Sequence, residues 1–215
     1  ENYDVGGNGS AYLDSAATAL KPQAVIEATV NFYSQEGATV HRSQYHAAQA
    51  LTDDYEQARR LVAQWINAPH SADIVWTRGT TESINLVAQS WLRPRLQPGD
   101  EIIVSQAEHH ANLIPWLMVA QQCQAQVITL PVDECGIPDI TALSVLLNNK
   151  TRLLALTQMS NVTGGIPDIT RAVELAHAND TPVLIDGAQG VVHCSPDVQQ
   201  LDIDFYAFSG HKLYG

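Results

Sequence analysis

Positive charge is scarce in this chain of 215 residues: 11 Lys and Arg stand against 23 Asp and Glu, a formal net charge of -12. Phosphate backbones and anionic membranes recruit a basic face, so neither nucleic acid nor a membrane is an expected partner. Cysteine is sparse as well. Cys123, Cys135 and Cys194 make no CxxC pair and no even framework, which reads as reduced thiols in a cytoplasmic protein. No run of about 18 uninterrupted apolar residues is present to span a membrane. The opening ENYDVGGNGS lacks the basic and apolar regions of a signal peptide. Internal repeats, low-complexity tracts and linkers are also missing. The chain starts at Glu1 without methionine and stops directly after FSGHKLYG, with no helix stop or polar tail, so we expect an N-terminal fragment. What is present is an ordinary globular composition, 45% hydrophobic and 16% charged.

The apolar pattern is helical first and alternating afterwards. Pro22 suits the first turn of a helix running to about Tyr33. Leu51, Tyr55, Ala58, Leu61, Val62 and Trp65 recur at helical steps within Ser43–Ala68. Short apolar runs at Asp73–Thr77, Glu101–Ser105, Gln126–Pro131, Arg152–Thr157, Pro182–Asp186 and Asp204–Ser209 then predict strands. Helical segments are predicted at Thr81–Leu92, Ala111–Ala125, Ile140–Leu147 and Ile169–Ala178. This alternation implies an α/β fold with right-handed crossovers and a mainly parallel sheet covered on both faces. Ligands bind such sheets beyond the carboxyl ends of the strands.

Five polar clusters follow those predicted strands. Arg78-Gly79-Thr80-Thr81-Glu82-Ser83 opens a helix, where unpaired N–H groups, a close-approaching glycine and two hydroxyls suit a phosphate; it reads equally as a cap with a first-turn acid. It lacks the Gly-Lys-Ser/Thr ending of a Walker loop. The strand Val183-Leu184-Ile185 runs into Asp186, then Gly187, Ala188, Gln189 and Gly190. A buried acid there needs something cationic, such as a protonated ring nitrogen, unless it only caps the next helix. Ser209-Gly210-His211-Lys212 follows the aromatic Phe208; Lys212 is either a solvated charge or an amine nucleophile. Glu108-His109-His110-Ala111-Asn112 offers an imidazole that could stack on a flat ligand or move a proton; without HExxH or a Cys pair we expect no metal. Ser160-Asn161 offers a side-chain amide, or simply a turn. Phosphate cradle, imidazole, amide, carboxylate and lysine at one sheet edge are what pyridoxal phosphate requires.

YLDSAAT (Tyr12–Thr18), HRSQ (His41–Gln44), RGTTESIN (Arg78–Asn85), EHHAN (Glu108–Asn112), SNVTG (Ser160–Gly164), DGAQG (Asp186–Gly190) and FSGHKLYG (Phe208–Gly215) resemble the cysteine desulfurases, fold-type I enzymes of the class V aminotransferase kind. The likeness runs in order along almost the whole chain, and is nearest to the SufS type and cysteine sulfinate desulfinase. DGAQG followed by SGHK is the most specific part.

The resemblance implies the large domain of a fold-type I PLP-dependent transferase, a three-layer α/β/α structure. It divides the chain into an N-terminal helical segment, 1–70, and an incomplete PLP-binding domain, 71–215, with the C-terminal small domain absent. Residue by residue, Lys212 would be the Schiff-base lysine and the base for the α-proton. Asp186 would pair with the pyridine nitrogen and Gln189 with the phenolic oxygen. His109 would stack on the ring and help move protons. Thr81, the backbone N–H of Thr80, Ser209 and His211 would hold the phosphate, and Asn161 would lie beside the ring. His41 and Arg42 would lie near the mouth of the site.

The implied reaction releases sulfur, sulfite or selenium from L-cysteine, cysteine sulfinate or selenocysteine, leaving alanine. Sulfur would pass to an acceptor protein and on to iron–sulfur assembly, and the enzyme would be a cytoplasmic homodimer. The sequence also departs from the family. The persulfide-forming cysteine and the carboxylate-gripping arginine lie beyond the lysine in relatives, and none of Cys123, Cys135 and Cys194 matches that nucleophile. This stretch alone is therefore expected to be inactive or nearly so. The alternatives are a kynureninase-like or other class V enzyme, or a non-catalytic cofactor-binding piece.

Overall fold

A computed structural model describes residues 11–41 and 45–215. The chain forms two compact units, one of Glu1–Leu61 with Gly210–Gly215 and one of Val62–Ser209. In the first, helix α1 spans Gln23–Asn31 and opens behind Pro22, whose fixed backbone angle pre-sets a helix start. Helix α2 spans His46–Trp65, and its last turn enters the second unit. The predicted start of α2 at Ser43 lies outside the described residues.

The second unit is built on helix α3 (Thr80–Leu86), strand β1 (Glu101–Ser105), helix α4 (Ile114–Cys123), strand β2 (Gln126–Leu130) and helix α5 (Ile140–Leu146). Strand β3 (Thr151–Thr157), helix α6 (Ile169–His177), strand β4 (Val183–Asp186), helix α7 (Gly190–His193) and strand β5 (Phe205–Ala207) complete it. The five strands pair in parallel in the order β2-β1-β3-β4-β5. Successive side chains in a strand point to opposite faces, and the core divides accordingly. Ile102, Val104, Leu153, Ala155 and Leu184 pack with Ile84, Leu92, Trp116 and Val119 on one face. Ile103, Leu154, Leu156, Val183 and Ile185 pack with Leu143, Ile169 and Val173 on the other. Both faces are thus sealed by helices, giving the three layers expected, and the strands read as continuous apolar runs for that reason.

Caps set where the helices begin. Asp139 accepts from the N–H groups of Thr141 and Ala142 to open α5, and Asp168 accepts from Arg171 N–H to open α6. The predicted Ala111–Ala125 helix is broken: His110–Asn112 form a 3-10 turn, Leu113 leaves helical geometry, and α4 starts with Pro115 in its first turn. The predicted Thr81–Leu92 helix continues past α3 as a wider turn over Val87–Leu92.

One predicted strand is corrected. Residues 74–77 lie outside the five-stranded sheet, following a 3-10 turn at Ser71–Asp73. Here Val75 is 63% exposed, unlike the buried middle of a core strand.

Candidate functional site

Parallel strands deliver all their carboxyl ends to one edge of the sheet. Ser105 closes β1, Thr157 closes β3, Asp186 closes β4, and Ala207 closes β5 two residues before Ser209. In register, Thr157 lies opposite Asp186, and Asp186 opposite Ala207. The polar clusters that begin with Glu108, Ser160, Asp186 and Ser209 therefore share this edge.

Thr80 and Ser209, far apart in sequence, meet there. Thr80 N–H donates to Ser209 Oγ at 2.8 Å, and the two hydroxyls lie 2.7 Å apart. Gly79 has φ 137°, a backbone region L side chains avoid, and an added Cβ would sit 3.1 Å from Ser209 Oγ. Behind this cradle Glu82 accepts from Arg78 N–H at 2.6 Å and from its guanidinium at 2.9 Å. The acid thus braces the entry to α3 as a capping residue does, while Thr80 N–H turns to Ser209. Thr81 is exposed in the first turn of α3.

Asp186 is only 5% exposed, and its Oδ1 accepts from Ala188 N–H at 2.9 Å. Gln189 is buried and stands at the N-cap of α7. The glycines at 187 and 190 are required by close neighbours. A Cβ on Gly187 would overlap the Tyr206 ring, and one on Gly190 would overlap Gln158 Oε1. Tyr206 Oη donates to that same Gln158 oxygen at 2.6 Å. Gln158 and Tyr206 do not stand out in the sequence; they are 48 residues apart, and only the small residues around Asp186 hint that something large packs there. Burial, with the Cys194 and Asp186 charges, pushes the Tyr206 hydroxyl pKa strongly upward, so this phenol stays neutral.

His109 is exposed and caps the 3-10 turn, its Nδ1 accepting from Ala111 N–H at 3.1 Å. Its neighbour Glu108 is more tightly held. Glu108 Oε1 accepts from Ser105 Oγ at 2.5 Å and from Thr157 N–H at 2.7 Å, while Oε2 accepts from Asn112 Nδ2 at 2.6 Å. Burial raises its pKa to about 7 against the pull of those three donors, with Asp186 adding a smaller upward push. In the sequence Glu108 registers only as part of EHHAN. An acid just after a buried strand is the signal that could single it out. Asn161 is exposed in a turn that Ser160 Oγ closes by accepting from Val162 and Thr163 N–H, as the turn reading expects.

His211 and Lys212 belong to the first unit, in a 3-10 turn over Gly210–Lys212. The His211 carbonyl accepts from Ala19 N–H at 3.1 Å, Lys21 Nζ at 2.7 Å and Thr18 Oγ1 at 3.3 Å, so the YLDSAAT end pins the turn that carries Lys212. Burial, with the charges of Lys212 and Lys21, lowers the His211 pKa. His41, at φ 60°, is held against α2: its Nε2 lies 3.0 Å from Glu56 Oε1 and its ring stands edge-on to Tyr55. Arg42 lies outside the described residues.

The family model for class-V aminotransferases matches residues 11–215. Cysteine desulfurase CsdA of Escherichia coli (strain K12) is 66% identical over 95% of this chain, and a probable cysteine desulfurase of Vibrio cholerae is 50% identical over 98%. The alignments take in 51% and 52% of those proteins, so the chain spans about half the length of these relatives. A crystal structure of the Escherichia coli enzyme superposes with a TM-score of 0.88, covering 95% of this chain and 51% of that one. An apo cysteine desulfurase from Thermococcus onnurineus, 34% identical, also superposes at 0.88, over 93% of this chain and 49% of its own.

Proposed function

The chain belongs to the class-V aminotransferase family, and from that premise we propose that it is the cofactor-binding half of a PLP-dependent cysteine desulfurase. Class-V aminotransferases use pyridoxal phosphate. The residues present fit that group. The Thr80–Ser209 cluster gathers two hydroxyls and a backbone N–H, bonded to one another here, beside a glycine where any Cβ would crowd Ser209 Oγ, and donors of this kind suit a phosphate. Asp186, a buried carboxylate at a strand end, suits a cationic ring nitrogen. The observation that carries the reading is this pairing of a hydroxyl-lined cradle and a buried acid on one edge of a parallel sheet.

Bound pyridoxal phosphate supplies an electron sink for the substrate's α-carbon. The protein's residues do the rest. Thr80 N–H, Thr81, Ser209 and His211 would hold the phosphate. Asp186 would keep the ring nitrogen protonated, and Gln189 would donate to the phenolic oxygen. Asn161 would lie beside the ring. Lys212 Nζ, three residues after Ser209 in the chain, would anchor the cofactor and serve as the base for the α-proton. His109 would stack on the ring and help move protons through its imidazole. His41 and Arg42 lie near the substrate entrance. The whole protein is a cytoplasmic homodimer that takes L-cysteine, or its sulfinate or selenium analogue, releases alanine, and passes sulfur to an acceptor protein for iron–sulfur assembly.

The test is alanine formation by the whole protein reconstituted with pyridoxal phosphate. Cysteine is expected to yield alanine and Lys212→Ala to abolish it. Turnover of kynurenine but not of cysteine would reject the desulfurase reading.

A further inference from the structure

We propose that Glu108 is a positioning residue for His109, fastening the imidazole's turn to the ends of β1 and β3 through a hydrogen-bond chain in which Trp116 fixes the orientation of the Asn112 amide. The inference rests on the reading of His109 as the imidazole over the cofactor. The chain begins at Trp116, fully buried in the core, whose Nε1–H donates to Asn112 Oδ1 at 3.0 Å. That bond fixes the Asn112 amide, and leaves Nδ2 to donate to Glu108 Oε2 at 2.6 Å. Asn112 is itself fully buried, so it has no water to fall back on. The other carboxylate oxygen accepts from Ser105 Oγ and from Thr157 N–H. Glu108 thus ties the 3-10 turn over His110–Asn112 to two strands of the sheet and to the core indole.

His109 is the residue between this anchor and that turn. Its Nδ1 accepts from Ala111 N–H, so the neutral ring carries its proton on Nε2. The turn that presents Ala111 N–H is held in place by Asn112, and Asn112 by Glu108. Ring orientation and tautomer therefore depend on a carboxylate that need not touch the reacting atoms, and such supporting groups set the precision of the groups they hold.

Hydrogen-bond polarity makes the idea testable. Glu108→Gln keeps shape and keeps one oxygen for Ser105 and Thr157. Its new NH2 faces the Asn112 NH2, donor against donor, and Asn112 cannot turn over without orphaning the Trp116 indole. Adding Asn112→Asp to that variant supplies an acceptor for both the newly introduced side-chain NH2 and the Trp116 indole, and restores the chain with only the link between positions 108 and 112 reversed.

The experiment uses the whole protein with pyridoxal phosphate bound. It reads the His109 tautomer by nitrogen NMR, the circular dichroism of the bound cofactor, and kcat and KM for cysteine. Glu108→Gln should convert a single Nε2–H tautomer into a mixture and weaken the cofactor's dichroism at unchanged loading. It should lower kcat about tenfold with KM within about twofold, the size of effect expected from a misplaced rather than a lost group. The double variant should recover the single tautomer and most of kcat. Ser105→Ala, which removes one donor, should move the same signals less far and guards against Glu108→Gln failing to fold. Unchanged His109 signals in Glu108→Gln, or in Ser105→Ala if Glu108→Gln does not fold, would overturn the proposal, as would a double variant no better than the single one. Wild-type protein that fails to bind pyridoxal phosphate would sink the cofactor reading instead, and the histidine spectra would still decide the role of Glu108.

Discussion

The two edges of the parallel sheet handle acidic residues in opposite ways. At the amino edge, carboxylates meet cations. Asp100, buried just before β1, accepts from Arg152 Nε and Nη2 at 2.9 Å each and from Gln97 N–H at 2.7 Å. Asp204, just before β5, accepts from Val183 N–H at 2.8 Å and lies 2.9 Å from His177 Nε2, whose Nδ1 lies 3.1 Å from Asp202. At the carboxyl edge, Glu108 is met by a hydroxyl, an amide and a backbone N–H, none of them charged. Asp186 sits opposite Thr157, which binds Glu108. A buried acid matched with a cation is a strut; a buried acid such as Glu108, held by neutral donors alone, keeps its charge uncompensated by them. This difference is why we place the chemistry at the carboxyl edge.

The largest structural effect should come from filling the space beside Asp186. Gly187→Ala forces the Tyr206 ring away from a Cβ that would otherwise overlap it, and with it the bond to Gln158. We expect a loss of about 1–3 kcal/mol in thermal or denaturant unfolding, the usual cost of overpacking. Wild-type stability in that variant would mean Tyr206 has another seat and the tight packing at this edge is incidental.

That contact also marks how far the sequence could be read. The sheet was legible because strands buried on both faces read as unbroken apolar runs, as Leu153–Leu156 and Val183–Ile185 do. The starts of α5 and α6 fall where expected, each just after the aspartate that caps it. Residues 74–77 misled because an apolar run does not by itself say that its side chains are buried in the sheet, and Val75 is exposed. At the site, four of the polar clusters could be placed because each follows a strand, and the topology gathers those four at one edge. The pairings were not legible. Glu108 with Thr157 and Gln158 with Tyr206 join residues 49 and 48 apart, and no local pattern encodes such a contact. The brace from His41 to Glu56 joins residues 15 apart and was hidden likewise.

The pH dependence of stability separates the two edges. The Glu108 pKa rises from 4.5 to about 7 on folding. Folding therefore favours its protonated form: its contribution is complete below about 4.5 and is lost as pH rises through about 7. Burial would lower the His177 pKa, but the carboxylates of Asp204 and Asp202 outweigh it and raise the value above 6.5. Its contribution is complete below 6.5 and fades as pH climbs through the raised value. Stability measured against pH should flatten in the lower window for Glu108→Gln and in the upper window for His177→Ala. Both variants flattening the same window would erase the distinction between the edges.

The most direct test of the account is to locate the cofactor on the chain. The protein loaded with pyridoxal phosphate, reduced with borohydride and digested, should carry the pyridoxyl mass on the peptide containing Lys212, and Asp186→Ala should sharply reduce that labelling. Label found on Lys21 or Lys150 instead, or labelling of Lys212 indifferent to Asp186, would contradict it.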